Sequence, residues 1–345
     1  MIDWEFALKT AERLVPPGPS LSTAEVDDVM GDLRAAAGAA EQPVRTFTGL
    51  SPRPAEETPV LVIDRARWVE ANLASSRVLL EPVLTKLQKS HKAPTGFAKS
   101  FGESINGVEI GALLSFMSTK VLGQFDPFGS DPGRLLLVAP NIVHAERQLG
   151  VDPHDFRRWV CLHEETHRVQ FTAVPWLGDH LRGLIAEFTD ATELDPAALG
   201  KLLTSGIGEL IRILRGASDA SLMDLLQNDA QRAVVDKLTG VMSLLEGHAD
   251  VVMDGVGPEV VPTVAEIRRA FERRRSGAGG VDRVIRRLLG LEAKMRQYRD
   301  GAVFVRAVTD QAGHDGFNAV WAAPENLPSR SEILSPSSWV RRIHG

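Results

Sequence analysis

The chain has 345 residues, 43% hydrophobic and 24% charged, enough to bury a substantial core in one large domain or two modest ones. A formal net charge of −6 argues against nucleic acid or an anionic membrane surface as partners, and a single cysteine, Cys161, excludes an internal disulfide framework. The first residues are acidic without an apolar stretch, and no run of about 18 apolar residues occurs, so a soluble cytoplasmic protein without signal peptide or membrane span is expected.

In chain order, residues 3 to 15 carry helical spacing through Trp4, Ala7, Ala11 and Leu14, ended by Pro16-Pro17. Ser22 and Thr23 offer caps for a second helix to about Ala40, and the proline-bearing segment from Thr48 to Thr58 reads as a linker. Val60 to Ile63 is a short β-branched run, and Asp64 can cap a helix through Trp68 and Leu73. Residues 90 to 105 read as loop, Gly107 to Val121 as a buried apolar helix, and Leu135 to Ala139 as the best strand in the chain. Asp152 with Pro153 starts a helix that Pro175 stops, and another follows from about Gly178. Further helices are expected at 194–215, 220–254, 262–275 and 281–299, with a turn at 277–280 and an irregular tail after Val308. The fold class is mainly α (α+β) with a small β-sheet. Segment 1–50 is an N-terminal helical part and 51–345 the main domain, together one compact unit.

His163-Glu164-Glu165-Thr166-His167 is an HExxH motif on the helix that begins at Pro153. Histidines at i and i+4 stand on one helix face and can reach one ion, for which zinc is the expected cofactor. Glu164 lies about 100° aside from His163, off the ligand axis and beside it, where a general base for water belongs. A third ligand is needed. Gln170 and Ala173 stand where an extended HExxHxxGxxH pattern needs glycine and histidine, so that option fails. Glu246 is favoured over Glu187: it borders an apolar stripe from Val234 to Ala249, has small neighbours in Gly247 and Ala249, and is followed four residues on by Asp250. Asp250 is placed to accept a hydrogen bond from the non-ligating nitrogen of a bound histidine. His248 lies about 200° around from Glu246 and is expected to be structural or to face substrate.

At HEETHRVQF (163–171) and EGHAD (246–250) the chain resembles the gluzincin-type metallopeptidases. More closely, it is similar to the actinobacterial zincin-like metallopeptidases type 2, a family also described as coenzyme F420 biosynthesis-associated proteins. TGL at 48–50, VLGQFDP at 121–127, PNIVHAE at 140–146, RLLGLEAKMRQY at 287–298 and WAAPENLP at 321–328 carry the resemblance over nearly the whole chain. It implies a zincin-like helical domain with His163, His167 and Glu246 as ligands, Glu164 as base and Asp250 behind them.

Related zinc peptidases use a tyrosine or histidine to stabilise the oxyanion, which makes Tyr298 a candidate beside its reading as a structural tyrosine, with His144, His180 and His314 as further options. Cys161 reads as core packing and the arginines from Arg268 to Arg299, including Arg273, Arg274 and Arg275, as a solvated helix face or a docking surface for an anion. Leu135 to Ala139 reads as a core strand or as an edge strand that binds an extended peptide. Together these readings imply a zinc-dependent hydrolase, foremost a peptidase. The alternatives are a zinc-binding protein without turnover that acts through a partner, and a hydrolase of a small amide linked to coenzyme F420 metabolism.

Overall fold

The computed structural model describes residues 4–51, 58–89, 107–130, 133–191, 229–276 and 291–345. In order these form α1 (Trp4–Leu14), α2 (Thr23–Thr48), β1 (Val60–Ile63), α3 (Arg65–Lys89), α4 (Gly107–Ser118), β2 (Gly123–Asp126), β3 (Arg134–Val138), α5 (Ala139–Leu149) and α6 (Pro153–Ala173). There follow α7 (Leu177–Ala191), α8 (Asp229–Val260), α9 (Val264–Ser276), α10 (Leu291–Asn318), two short 3₁₀ turns, α11 (Arg330–Leu334) and α12 (Pro336–His344). The expectations for 90–105, 194–215 and 277–280, and most of that for 281–299, lie outside the described residues. No described helix is long and apolar enough to cross a membrane.

The strands form one sheet in the order β1-β3-β2, with β1 parallel and β2 antiparallel to β3. The strand expected at 135–139 is therefore the central one, hydrogen-bonded on both sides, and cannot accept an added peptide strand. Beside α6 the sheet ends instead on β2, whose sequence Gly-Gln-Phe-Asp carries no β-branched residue and gave no strand signal. Val138 N–H donates to the Leu122 carbonyl. Because antiparallel ladders alternate, the backbone groups of Gly123 and Phe125 point away from β3, along the edge that no described strand pairs with.

Three hydrophobic clusters hold the elements. One joins α2, α5, α6, α9 and the end of α8 through Leu33, Val44, Phe156, Val160, Leu162 and Val256. A second joins α7, α8 and α10 to the C-terminal turns through Leu244, Phe304, Phe317 and Trp339. A third packs α1 and α3 on the other face of the sheet through Ala7, Ala11, Trp68 and Leu136.

Element boundaries differ from expectation in several places, the helix expected to end at 254 running on as α8 to Val260 among them. Helix α2 runs past Ala40 and through Pro43 to Thr48, because Ala40, Val44 and Thr48 continue its buried face; Gly49, at φ 66°, then caps it with an N–H to the Arg45 carbonyl. The tail after Val308 is helical rather than irregular. Its prolines start turns instead of breaking them, Pro324 and Pro336 each occupying a first helical position, and Trp339 is wholly buried.

Candidate metal centre

Helix α6 starts at Asp152, whose side chain accepts from the Asp155 N–H, with Pro153 in the first turn. Its 21 residues make about six turns, and Phe156, Cys161, Leu162 and Val169 are buried along it, which holds the HExxH segment in place. Helix α8 crosses it and brings up Glu246. His163 Nε2 and His167 Nε2 are 3.2 Å apart, and Glu246 Oε2 lies 3.7 Å from the first and 3.5 Å from the second. Ligands held 2.0–2.2 Å from a tetrahedral zinc sit about 3.3–3.6 Å from one another, so two imidazole nitrogens and a carboxylate oxygen at these spacings fit zinc. Among the described residues this is the one cluster of three or more His, Cys, Asp or Glu so gathered.

Glu164 is buried beside the histidines, and the sheet edge lies against it. A Cβ on Gly123 would stand 2.5 Å from Glu164 Cγ, so only glycine in β2 lets the strand approach this carboxylate. That contact brings the outer edge of β2, with its outward backbone groups, to the centre.

Burial works against a charged His167, yet the hydrogen bond and charge of Glu246, the charge of Glu164 and the contact with Gln170 outweigh it and raise its pKa to about 9 in the metal-free protein. The nitrogen of His167 that faces away from Glu246, Nδ1, lies 2.9 Å from Gln170 Oε1. On His163 the corresponding Nδ1 lies 3.3 Å from Met253 Sδ.

Asp250 does not stand behind a histidine. It pairs with Arg268 at 3.4 Å and Arg306 at 3.9 Å, in a partly exposed group that includes Asp254, because one turn beyond Glu246 the face of α8 meets α9 and α10. Gln170, which the spacing argument treated only as a failed ligand position, occupies the place meant for Asp250. Nor does Gly247 let α8 approach α6. It faces Gly301 of α10, where a side chain on either glycine would overlap the backbone of the other helix.

The remaining candidates separate. Glu187 is exposed and bound to Lys237 at 2.7 Å. His248 is buried against Phe317 and Trp321; burial, with His167 and His314 nearby, lowers its pKa to about 3, so it is neutral and structural. His180 packs edge-on to Trp176, His314 edge-on to Phe47, and His144 is exposed on α5. Cys161 is buried with its thiol toward the Leu33 carbonyl, and burial pushes its pKa up, as core packing requires. Arg273 and Arg299 are exposed, whereas Arg268 belongs to the group around Asp250; the side chains of Arg274, Arg275 and Tyr298 lie outside those described.

A family model described as zincin-like metallopeptidase matches residues 2–340. The chain belongs to the zincin-like metallopeptidase family. A protein of Chloroflexus aurantiacus, whose crystal structure is titled as a proposed hydrolase with a novel fold, is similar along the whole length. The two share 30% identity over 100% of this chain and 99% of the other, with a TM-score of 0.71. A search of curated proteins returns no match. A zincin-like hydrolase, with a mainly helical fold and a candidate His/His/Glu site, is the reading common to these findings.

Proposed function

We propose that this zincin-like protein is a zinc-dependent peptidase with His163, His167 and Glu246 as ligands and Glu164 as general base. The observation that carries it is the convergence of three donor atoms at 3.2–3.7 Å with a fourth, non-ligating carboxylate buried beside them at a sheet edge. A bound zinc supplies Lewis acidity, polarising a carbonyl and lowering the pKa of water to about 7. Glu164 takes the proton of the attacking water and returns it to the leaving amine. Its side chain packs on Gly123, which fixes it beside the ligand face. The outward backbone groups of Gly123 and Phe125 can pair with an extended peptide, which favours a peptide over a compact amide as substrate.

The test has two stages. Purified protein should hold about one zinc per chain, lost in His163→Ala, His167→Ala and Glu246→Ala and kept in Glu187→Ala. A peptide library read by mass spectrometry, with chelator-treated protein as blank, should then show cleavage. Zinc retained at the wild-type level in all three ligand variants defeats the ligand assignment. Zinc present with no peptide cleaved favours a binding protein that does not turn over substrate.

A further inference from the structure

Gln170 is wholly buried, one turn after His167, and its side chain makes three polar contacts of 2.9 Å. Oε1 meets His167 Nδ1, and Nε2 meets both the Leu245 carbonyl and His248 Nδ1. The direction of these bonds follows from what each partner can do. A backbone carbonyl only accepts, so the amide nitrogen must face Leu245 and the amide oxygen must face His167. An amide oxygen also only accepts, so His167 Nδ1 must carry a hydrogen. In the neutral ring Nε2 is then the nitrogen that carries the lone pair, on the side of Glu246 and His163. The second hydrogen of the Gln170 amide goes to His248 Nδ1, a ring held in place by Phe317 and Trp321.

We infer that Gln170 is a positioning residue of the metal centre: it selects the His167 tautomer that can ligate, and His248 and the Leu245 carbonyl keep its amide the right way round. This rests on the zinc reading above. The same amide also ties α6 to the residue before Glu246, so it holds in register the two helices that supply ligands. A hydrophobic residue of equal size would fill the space but do neither.

The experiment measures zinc affinity by competition with a chromophoric chelator for the wild type, Gln170→Leu, Gln170→Glu and His248→Phe, with circular dichroism of each metal-free protein. A long-range nitrogen–proton correlation spectrum of the zinc-loaded wild type reports which nitrogen of His167 binds metal. Gln170→Leu should keep its helical spectrum and bind zinc about 10- to 100-fold more weakly, as the loss of a hydrogen bond behind a ligand does. Gln170→Glu, which restores an acceptor for Nδ1–H, should bind more tightly than Gln170→Leu yet melt earlier, since its carboxylate then faces the Leu245 carbonyl. His248→Phe should fall between the wild type and Gln170→Leu. The wild-type spectrum should show Nδ1–H and a metal-bound Nε2. Wild-type affinity in folded Gln170→Leu overturns the inference, and so does coordination through Nδ1, a reading that stands even if Gln170→Leu fails to fold. A wild type that binds no zinc overturns the metal reading and this inference together, whereas a zinc-loaded wild type with an indifferent Gln170→Leu overturns this inference alone.

Discussion

Glu164 and Glu165 are adjacent on α6, both buried, and meet different neighbours. Glu165 lies on the α2 side, where Arg168 reaches it at 2.5 Å and also meets Glu41 at 3.1 Å. Burial holds its carboxyl above the usual carboxylate range even though Arg168 pulls it down. Glu164 lies on the side of the histidines and β2, packed against Gly123. A single residue step of about 100° thus separates a carboxylate locked in an ion group from one set beside a ligand cluster. Composition is no guide to role at such spacing. What decides is the element packed on each face: α2 brings a scaffold, and β2 brings its outer edge.

That contrast can be broken at several points. The largest effect is expected from Glu164→Gln, which keeps the shape of the carboxylate but not its basicity. Cleavage should fall about 10²- to 10⁴-fold while zinc content and denaturant midpoint stay at wild-type values. Equal turnover by wild type and variant would remove Glu164 from the chemistry. Next comes Arg168→Met on the Glu165 side. It leaves Glu165 and Glu41 without their buried cation and should cost about 3–5 kcal/mol in urea unfolding, with zinc affinity of the folded protein unchanged. A loss below 1 kcal/mol would mean that the two faces are not as different as the packing implies.

Protons offer a third probe, with opposite signs for fold and metal. With a raised pKa of about 9, His167 stabilises the metal-free protein fully below its unfolded pKa, near 6.5, and this stability is lost as pH rises through 9. Zinc must displace that proton, so apparent zinc affinity should climb about tenfold per pH unit up to about 9 and then level off. A competition titration from pH 6 to 10 with no such slope would show that His167 is not the protonated ligand in the metal-free state. The smallest effect belongs to Asp250→Asn. Because Asp250 meets arginines in a partly exposed group, its loss should cost under about 1 kcal/mol and leave zinc affinity untouched. A 10-fold weaker site would instead restore it to a place behind the ligands.

The candidate His/His/Glu cluster was legible because it rests on local spacing: His163 and His167 share a helix face, and Glu246 sits at the edge of an apolar stripe, a position that predisposes it to face a partner helix. What surrounds the site was not. Asp250 carries the right chemistry at the right interval, but Arg268 and Arg306 come from other helices and claim it. Gln170 reads as one more polar residue; the available signal was an uncharged amide on a turn otherwise buried by Val169 and Thr172. Strand β2 carries no β-branched residue, and at Gly123 a side chain would overlap Glu164. The C-terminal helices were hidden by prolines whose helix-starting role depends on the burial of Trp339, a contact with Phe304 on α10.

The contact between Gly247 and Gly301 leaves no slack between α8 and α10, and the residue next to Gly247 is Glu246. If Glu246 holds a metal as proposed, docking of α10 and capture of that metal would be linked. Zinc at 100 times its Kd would add about 2.7 kcal/mol to the stability of the docked state. By linkage, a change that pries these helices apart would weaken zinc in proportion to the fraction of docked protein it removes, with no ligand touched. On the proposed zinc reading, zinc affinity would in this sense gauge how tightly α10 is closed on α8.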